Sequence, residues 1–333
     1  MRVPVVAISL VLLHGCGGSD APAPWQVVGR NLTSALVSVW GTSPDNVFAV
    51  GGDAGDGMGP VVEHWNGTTW ERLATGQVGN LWWVYGFDGG PVYMGGDGGM
   101  VLRFQNNTFT RLTTPGIDTV FGIWGATPDD VWAVGGAIGA ASGGFAWRLQ
   151  GGGDTFVLAP GFPTEVSTDS SVWKMYGRSA NDAWMVGTNG LAIRWDGSAL
   201  TPFHTGTGDL FTVSADAQRF VAVGGSGSAT ILENTEGTTW TPATSPPNAS
   251  GLIGVCLVAD AGFAVGQLGG VLSRSDDGWK QEQLELAIDE SLHSVWIDPS
   301  DGVWVVGGSL MALPLTDGIM LYRGSLDLSG GLQ

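Results

Sequence analysis

The sequence predicts an all-β fold, a seven-bladed β-propeller of four-stranded antiparallel blades that an N-terminal strand closes. Two observations predict it: a line of sequence recurs seven times at a spacing near forty residues, and 56 glycines stand beside 16 tryptophans in 333 residues. Glycine at this density, without a G-X-Y period and next to β-branched and aromatic residues, is typical of many short strands joined by tight turns. Because heptads and long stretches of 3.6 period are missing, we expect very little helix.

The repeat is clear in four segments and weaker in three. The clear copies are SVWGTSPDNVFAVGG (38–52), GIWGATPDDVWAVGG (122–136), KMYGRSANDAWMVGT (174–188) and SVWIDPSDGVWVVGG (294–308), and the weaker ones are residues 83–96, 212–225 and 254–267. The first glycine after each second strand is expected at Gly51, Gly95, Gly135, Gly187, Gly224, Gly266 and Gly307. Their spacings, from 37 to 52 residues, fit one four-stranded blade per repeat.

Each copy has the same internal order of elements. A first strand ends near Trp40, a turn follows in which Pro44 fixes φ, and a second strand runs from Val47 to Val50. A glycine-rich loop then leads to a hairpin over residues 61–73, where Asn66-Gly67 predicts a type I′ turn. Equivalent turns are expected at Asp196-Gly197, Glu236-Gly237 and Asp277-Gly278, with a looser copy at Asn106-Asn107.

The chain ends predict how the ring closes. The last repeat lacks a good fourth strand, because residues 325–333 have little strand character. Residues 25–28 resemble the missing outer strand, and their pairing with the last blade would remove exposed sheet edges. The propeller is therefore predicted to span residues 25–324, with 325–333 as a C-terminal tail.

The N-terminus is predicted to be a targeting signal. Residues 1–15 combine a positive Arg2 with an apolar run too short to span a bilayer, as in a signal peptide. The run ends in Leu13-His14-Gly15-Cys16, which resembles the bacterial lipobox at Leu13, Gly15 and Cys16 and departs from it at His14. That resemblance implies lipidation of Cys16, with residues 16–24 as a flexible tether; an ordinary signal peptide with an incidental cysteine is the alternative. We expect a protein exported to the bacterial cell envelope and lipid-anchored, with the outer membrane favoured, or secreted.

The formal charge of −18 limits the partners. A surface this negative repels phosphate backbones, so nucleic acid is not expected as a ligand. Membrane contact is expected through the lipid anchor only, and the chain is expected to be a monomer. The second cysteine, Cys256, lies in an apolar strand pattern without a disulfide partner and is expected to act as a small buried hydrophobe.

The repeats resemble the bacterial propellers grouped with BNR/Asp-box proteins and with photosystem II assembly-factor-like proteins, over about residues 25–324. The Asp-box pattern is only approximated, at residues 275–279. Such propellers include sialidases, lectins, assembly factors and many surface proteins, so the resemblance implies the fold and leaves the function open.

No catalytic residues and no cofactor are predicted. The chain lacks a nucleophile elbow, a P-loop and an H-E-x-x-H motif, and His64, His204 and His293 stand alone in the sequence. Most tryptophans recur at fixed repeat positions, which indicates packing between blades, whereas Trp82 and Trp83 are less regular and one could reach a surface. Glycine-rich loops carry Asp53, Asp56 and Asp97, which leave a calcium site as an alternative to ordinary turn aspartates.

Loop lengths predict where a ligand binds. The connections between second and third strands, and between blades, are expanded at residues 53–60, 137–144, 161–171, 244–250 and 309–317. These connections share one face of a propeller, so we expect the binding site there, around the channel mouth, with Asp53, Asp56, Trp82 and Asp97 as candidate residues. The leading interpretation is a non-catalytic protein-interaction or assembly scaffold; the second is a lectin-like carbohydrate-binding propeller, and the third a propeller-type glycosidase or lyase.

Overall fold

The computed structural model describes residues 23–332 except 138, 140, 141, 260, 329 and 330. The described chain forms seven four-stranded antiparallel sheets, which confirms the predicted seven-bladed propeller. The predicted signal peptide, Cys16 and all but the last two residues of the predicted tether lie outside the described residues, so export and lipidation stay predictions.

Each of the first six blades is built from four consecutive strands, ordered from the inner strand at the channel to the outer one. Blades 1 to 3 consist of β2 (Leu36–Ser43), β3 (Asn46–Asp53), β4 (Pro60–Trp65), β5 (Trp70–Arg72); β6 (Leu81–Gly86), β7 (Val92–Gly96), β8 (Val101–Gln105), β9 (Thr108–Arg111); and β10 (Thr119–Thr127), β11 (Asp130–Gly136), β12 (Phe145–Gln150), β13 (Val157–Leu158). Blades 4 to 6 consist of β14 (Val172–Ser179), β15 (Asp182–Gly187), β16 (Leu191–Trp195), β17 (Leu200–His204); β18 (Leu210–Ala215), β19 (Phe220–Gly224), β20 (Thr230–Asn234), β21 (Thr241–Pro242); and β22 (Leu252–Val258), β23 (Ala261–Gly266), β24 (Val271–Ser275), β25 (Gly278–Gln281).

Blade 7 joins the two ends of the chain. Its strands, from inner to outer, are β26 (Ser291–Ile297), β27 (Val303–Ser309), β28 (Thr316–Arg323) and β1 (Gln26–Leu32). Gln26 pairs with Tyr322 and Val27 with Leu321, which confirms the predicted closure. The tail after β28 folds back on this blade, where the backbone N–H of Leu332 donates to the oxygen of Val28 at 2.7 Å.

The core lies between blades rather than inside one sheet. Each of the seven largest buried clusters of described residues is shared by two adjacent blades. Trp132, Trp184 and Trp304 on the second strands are almost completely buried, as the repeat predicts. Each inner strand contacts the next, and β26 contacts β2, so the ring closes through apolar packing as well as hydrogen bonds.

Two local predictions differ from the structure. Asn66-Gly67 does form a hairpin, but of its two residues only Gly67 has a positive φ, and Asn66 Oδ1 accepts hydrogen bonds from the N–H groups of Thr68 and Thr69. This Asx turn replaces the predicted type I′ turn, which occurs instead at the looser copy, Asn106-Asn107, with φ of 51° and 58°. In blade 2 the repeat glycine is Gly96, which pairs with Leu81, rather than Gly95.

The expanded loops occupy the connections that the sequence predicts. They join β3 to β4, β11 to β12, β13 to β14, β21 to β22 and β27 to β28, and the segment before β14 includes the helix α1 (Thr164–Asp169). Two short 3-10 turns, Thr188–Gly190 and Gln267–Gly269, occupy equivalent connections in blades 4 and 6. In the part of the chain that the structure describes, no helix is long and apolar enough to cross a bilayer.

Candidate functional site

A β-bulge recurs near the start of every inner strand. In blade 1, Leu36 pairs with Gly51 and Ser38 with Val50, so Val37 between them has no partner in the ladder. The same register shift leaves one residue unpaired in each blade. These seven bulge residues are Val37, Trp82, Phe121, Trp173, Phe211, Ile253 and His293. All seven line one cavity at the mouth of the channel, with a volume of about 720 Å³.

The repeat glycines make these bulges possible. A Cβ built on Gly51 would lie 1.9 Å from the oxygen of Ala35, and one on Gly187 would lie 2.1 Å from the oxygen of Ser171. Only glycine allows the entering backbone to approach the end of the second strand this closely. The glycine that identifies the repeat in the sequence therefore also permits the bulge that aims a side chain into the channel.

Four aromatic bulge residues form a continuous arc over blades 2 to 5. The ring centroids of Trp82 and Phe121 lie 5.6 Å apart, those of Phe121 and Trp173 4.6 Å, and those of Trp173 and Phe211 6.1 Å. The arc is apolar and stiff, because each ring packs against the edge or face of its neighbour. Trp82, Trp173 and Phe211 remain half-exposed toward the cavity.

His293 interrupts the apolar lining on the opposite side. Its Nε2 lies 2.9 Å from the oxygen of Gly308, so this nitrogen donates and Nδ1 is left as an acceptor. Nδ1 is buried and has no hydrogen-bond partner among the described residues. Burial, with a smaller contribution from the charge of Lys174, lowers the pKa of His293 to about 4, so the imidazole is neutral at pH 7.

Lys174 follows the bulge residue of blade 4 and lines the same cavity. Its Nζ donates to the backbone oxygen of Phe121 at 2.5 Å and lies 4.4 Å from the ring centroid of Trp83. Burial lowers the pKa of Lys174 to about 7. No carboxylate of the described chain lies within ion-pair distance of this ammonium group.

The rim of the cavity is polar and acidic. Arg30 and Glu290 form a two-point ion pair, with Nε to Oε1 at 2.9 Å and Nη2 to Oε2 at 3.2 Å. Burial alone raises the pKa of Glu290, but the hydrogen bond and charge of Arg30 outweigh it, so that pKa is lowered overall. Asp289 and Asp317 are exposed at the rim and form no ion pair with described residues.

Three of the four predicted ligand-face residues form one hydrogen-bonded chain. Asp53 accepts from the N–H of Gly79 at 3.2 Å, its own N–H donates to Asn80 Oδ1 at 3.0 Å, and Asn80 Nδ2 donates to Asp97 Oδ2 at 2.7 Å. Asp97 Oδ1 in turn accepts from Trp82 Nε1 at 2.6 Å. Trp82 thus lines the cavity, while Asp53 and Asp97 brace it from behind.

The fourth residue, Asp56, lies apart from this chain. It is exposed, and its Oδ2 is 3.8 Å from Arg72 Nη2. Within the described ranges, no group of three or more His, Cys, Asp or Glu side chains is placed to hold a metal ion. Asp53 and Asp56 accept N–H hydrogen bonds within their own turn, and Asp53 and Asp97 also accept hydrogen bonds from blade 2.

Sequence reasoning missed most of the cavity lining. Phe121, Trp173, Phe211, Lys174 and His293 were not among the predicted ligand-face residues. A usable signal exists, because each bulge residue precedes its repeat glycine by thirteen or fourteen positions. Strand alternation does not reveal this signal. A strand residue is assigned to one face of a sheet by that alternation, and the bulge interrupts it.

Comparison with known proteins shows the fold alone. No family model matches the chain, and no curated protein matches it. Among solved structures, YCF48 from Cyanidioschyzon merolae has a TM-score of 0.68 at 16% identity and covers 90% of this chain and 98% of its own. YCF48 bound to D1 peptide has a TM-score of 0.67 at 14% identity, covering 92% and 99%. A streptogramin B lyase has a TM-score of 0.69 at 12% identity, covering 91% and 98%.

Proposed function

We propose that the chain is an exported, lipid-anchored propeller that binds a peptide segment of a protein partner in the cavity at its channel mouth. The observation that carries the proposal is the convergence of seven bulge residues, one from each blade, on a single cavity. Bulges that re-aim a side chain are a recurrent device of functional sites. A rigid ring with an apolar cavity and a polar rim has the composition of a binding site.

The loops around the cavity favour a macromolecular partner. The described large hydrophobic residues that are more than three-quarters exposed are Val78 at 86%, Ile117 at 83%, Leu268 at 77%, Met311 at 93% and Leu313 at 76%. All five lie on the connections between blades or between second and third strands, which is the face where the cavity opens. Exposed apolar side chains collected on one face are typical of protein interaction surfaces.

The comparisons add support for this kind of partner. A propeller of the same fold has been solved bound to a peptide, so peptide binding is a known use of this architecture. At 14% identity the likeness does not carry the ligand over to this chain.

A synthetic peptide library, immobilised through its N-termini, tests the proposal on the purified full chain. We expect saturable binding that Trp173→Ala weakens at least tenfold, because the indole forms part of the cavity wall. Trp240→Ala is the matched control: Trp240 is also half-buried, and neither indole N–H has a described partner, but it packs against Trp184 away from the cavity. Equal binding by the wild type and Trp173→Ala would reject the site.

A lectin is the second candidate, favoured by the half-exposed rings of Trp82 and Trp173 in the cavity wall. Such rings can stack on the apolar face of a sugar. A glycan array distinguishes the two functions: sugar binding that disappears in Trp173→Ala, without peptide binding, would replace the proposed function.

A glycosidase or lyase is the third candidate. The rim has one arginine, Arg30, and Glu290 is ion-paired with it. A general acid needs a raised pKa, whereas the pKa of Glu290 is lowered. The rim therefore favours binding over acid catalysis.

The proposed anchor has a separate test. Cys16→Ser is expected to move the protein from the membrane fraction to the soluble exported fraction, because the thiol is the only group proposed to carry lipid. Unchanged membrane association of this variant would reject the lipid anchor and leave the cavity proposal intact.

A further inference from the structure

Lys174 is a cation without a described counter-ion inside a cavity whose inner wall is mainly apolar. One N–H of its ammonium group donates to the oxygen of Phe121, and the group lies over the face of Trp83. The cavity's other cation, Arg30, lies at the rim and is already paired with Glu290. Among the described residues, no carboxylate neutralises Lys174.

This arrangement is unfavourable in the free protein and favourable with an anion bound. An ammonium group has three donors, of which the structure uses one. Removing its charge from water without an opposite charge nearby is penalised, and an anionic ligand group would relieve that penalty. The ligand atom that reaches Lys174 is therefore expected to carry negative charge.

The position of Lys174 indicates that the group it binds is the end of a ligand chain rather than its middle. The cavity has a volume of about 720 Å³, which is large enough to hold one group the size of a drug molecule. Apart from the ring of bulge residues, Trp83, Lys174 and Thr212, its lining comes from loops and strand ends at the mouth. A peptide that entered and returned through this mouth would need room for two segments, whereas a terminus needs room for one.

The charges at the mouth favour basic residues immediately before the terminus of the ligand. Asp289 and Asp317 are exposed beside the entrance and form no described ion pair. The chain as a whole carries a formal charge of −18. Basic residues upstream of an apolar terminus would complement this acidic rim and speed the encounter.

We propose that Lys174 binds the free C-terminal carboxylate of a partner peptide, whose apolar last side chain packs against the arc of Trp82, Phe121 and Trp173 and whose preceding residues are basic. This assignment rests on the proposed function and names the ligand class of the same cavity. In this proposal, one positive charge inside a mainly apolar cavity recognises the end of the partner's chain.

The experiment compares two matched sets of synthetic peptides, immobilised through their N-termini and ending in Phe or Leu after two basic residues. One set has a free C-terminal carboxylate and the other a C-terminal amide. The purified full chain is expected to bind the acid set about tenfold or more tightly than the amide set, since a charged hydrogen bond is lost in the amide. In Lys174→Met the two sets are expected to bind alike, whereas Lys280→Met, the matched control at the chain's other lysine, keeps the difference.

A pH series gives a second readout on the unmodified protein. Because burial lowers the pKa of Lys174 to about 7, the free protein loses the charge as the pH rises from 6 to 9, and affinity for the acid set is expected to fall. His293, across the cavity, stays neutral over this range because its pKa is about 4. The other titratable groups at the cavity are Arg30, Asp289, Glu290 and Asp317 at the rim, and the amide set controls for them.

The outcomes separate this inference from the proposed function. Equal binding of the acid and amide sets by the wild type, with binding still lost in Trp173→Ala, would overturn the carboxylate assignment and keep the peptide site. If Lys174→Met fails to fold, the wild-type comparison and its pH series decide alone. Binding of 3-phenylpropanoate without binding of any peptide would overturn both and identify a small apolar carboxylate as the ligand.

Discussion

Asp97 accepts a 2.6 Å hydrogen bond from the indole Nε1 of Trp82, and this bond joins the loop between β7 and β8 to the wall of the cavity. The same carboxylate accepts from the N–H and the side-chain amide of Asn80, so three donors converge on it. Because Asn80 also accepts from the N–H of Asp53, the bracing extends from blade 2 into blade 1. The orientation of a cavity tryptophan is thus determined by a network whose other members, Asp53, Asn80 and Asp97, do not line the cavity.

Asp97→Ala is expected to lower the free energy of unfolding by about 2 kcal/mol, because it leaves buried or half-buried donors without an acceptor. It should also release the ring of Trp82, seen as a broadened resonance by fluorine NMR of fluorotryptophan-labelled protein, with Trp82→Phe for assignment. Asp56→Ala is the control, since Asp56 is exposed and its carboxylate accepts one exposed hydrogen bond, from the N–H of Met58, and lies 3.8 Å from an Arg72 nitrogen. Equal effects of the two substitutions would contradict the bracing role.

Gly187→Ala is expected to lower the free energy of unfolding by about 3 kcal/mol, because its Cβ would lie 2.1 Å from the oxygen of Ser171 and the backbone must move. The neighbouring bulge residue, Trp173, should shift with it, and peptide binding should weaken. Gly208→Ala is the control, because nothing lies within 4 Å of its added Cβ and no positive φ is required there. Chemical denaturation measures both variants, and equal stability would refute the link between repeat glycine and bulge.

The ring was predictable from the sequence because its determinants recur. Pro44, Gly51 and Trp132 stand at positions that return in other blades, and the outer strand missing from the last repeat is supplied by residues 26–32. The cavity was less predictable because its residues differ from blade to blade at the bulge position. Lys174 stands inside a clear copy of the repeat, and its isolation from the described carboxylates is a property of the folded ring that sequence spacing does not show.

Glu63→Gln is expected to remove a pH dependence of stability. Burial raises the pKa of Glu63 to about 7, and the charge of Arg72, whose Nε lies 3.8 Å from Oε1, offsets only part of this. The folded state therefore holds a proton that the unfolded state has lost between about pH 4.5 and 7, so the wild type loses stability as the pH rises through that window.

Because the carboxylate keeps some contact with solvent, we expect Glu63→Gln to gain only about 1 kcal/mol at pH 8. Thermal unfolding from pH 4 to 8 measures this gain in stability. The control is Glu71→Gln, because Glu71 is exposed and lies in the same hairpin. A parallel pH profile for wild type and Glu63→Gln would show that this carboxylate titrates normally.

Leu268→Asn is expected to stabilise the protein and weaken partner binding. Leu268 is 77% exposed at the cavity face and has a φ of 54°, a left-handed conformation that is unfavourable for a leucine. The equivalent turn of blade 4 has Asn189 at a φ of 56°. Asparagine tolerates this conformation, so the variant should gain about 1 kcal/mol in the free energy of unfolding. A loss of stability would contradict the strain argument, and unchanged binding in the peptide assay would show that Leu268 does not contact the partner.

Lys174→Met is expected to raise the free energy of unfolding by about 1–2 kcal/mol at pH 7, because it replaces an unpaired buried charge by an apolar side chain of similar length. Since burial lowers the pKa of Lys174 to about 7, the unfolded state holds more protons between pH 7 and 10.5, and the wild type should gain stability as the pH rises through that window. The variant should lack this gain, whereas Lys280→Met, at an exposed lysine paired with Asp277, should behave like the wild type.

Reductive methylation with carbon-13 measures the same titration directly, because the chain contains only two lysines and Lys280 serves as an internal reference. A methyl resonance of Lys174 that titrates near pH 10, together with a destabilised Lys174→Met, would mean that the ammonium group is solvated and strengthens the ring through its bond to Phe121. A stabilised variant that no longer binds the free carboxylate would instead mean that the lysine is kept at a cost to stability for the sake of its ligand.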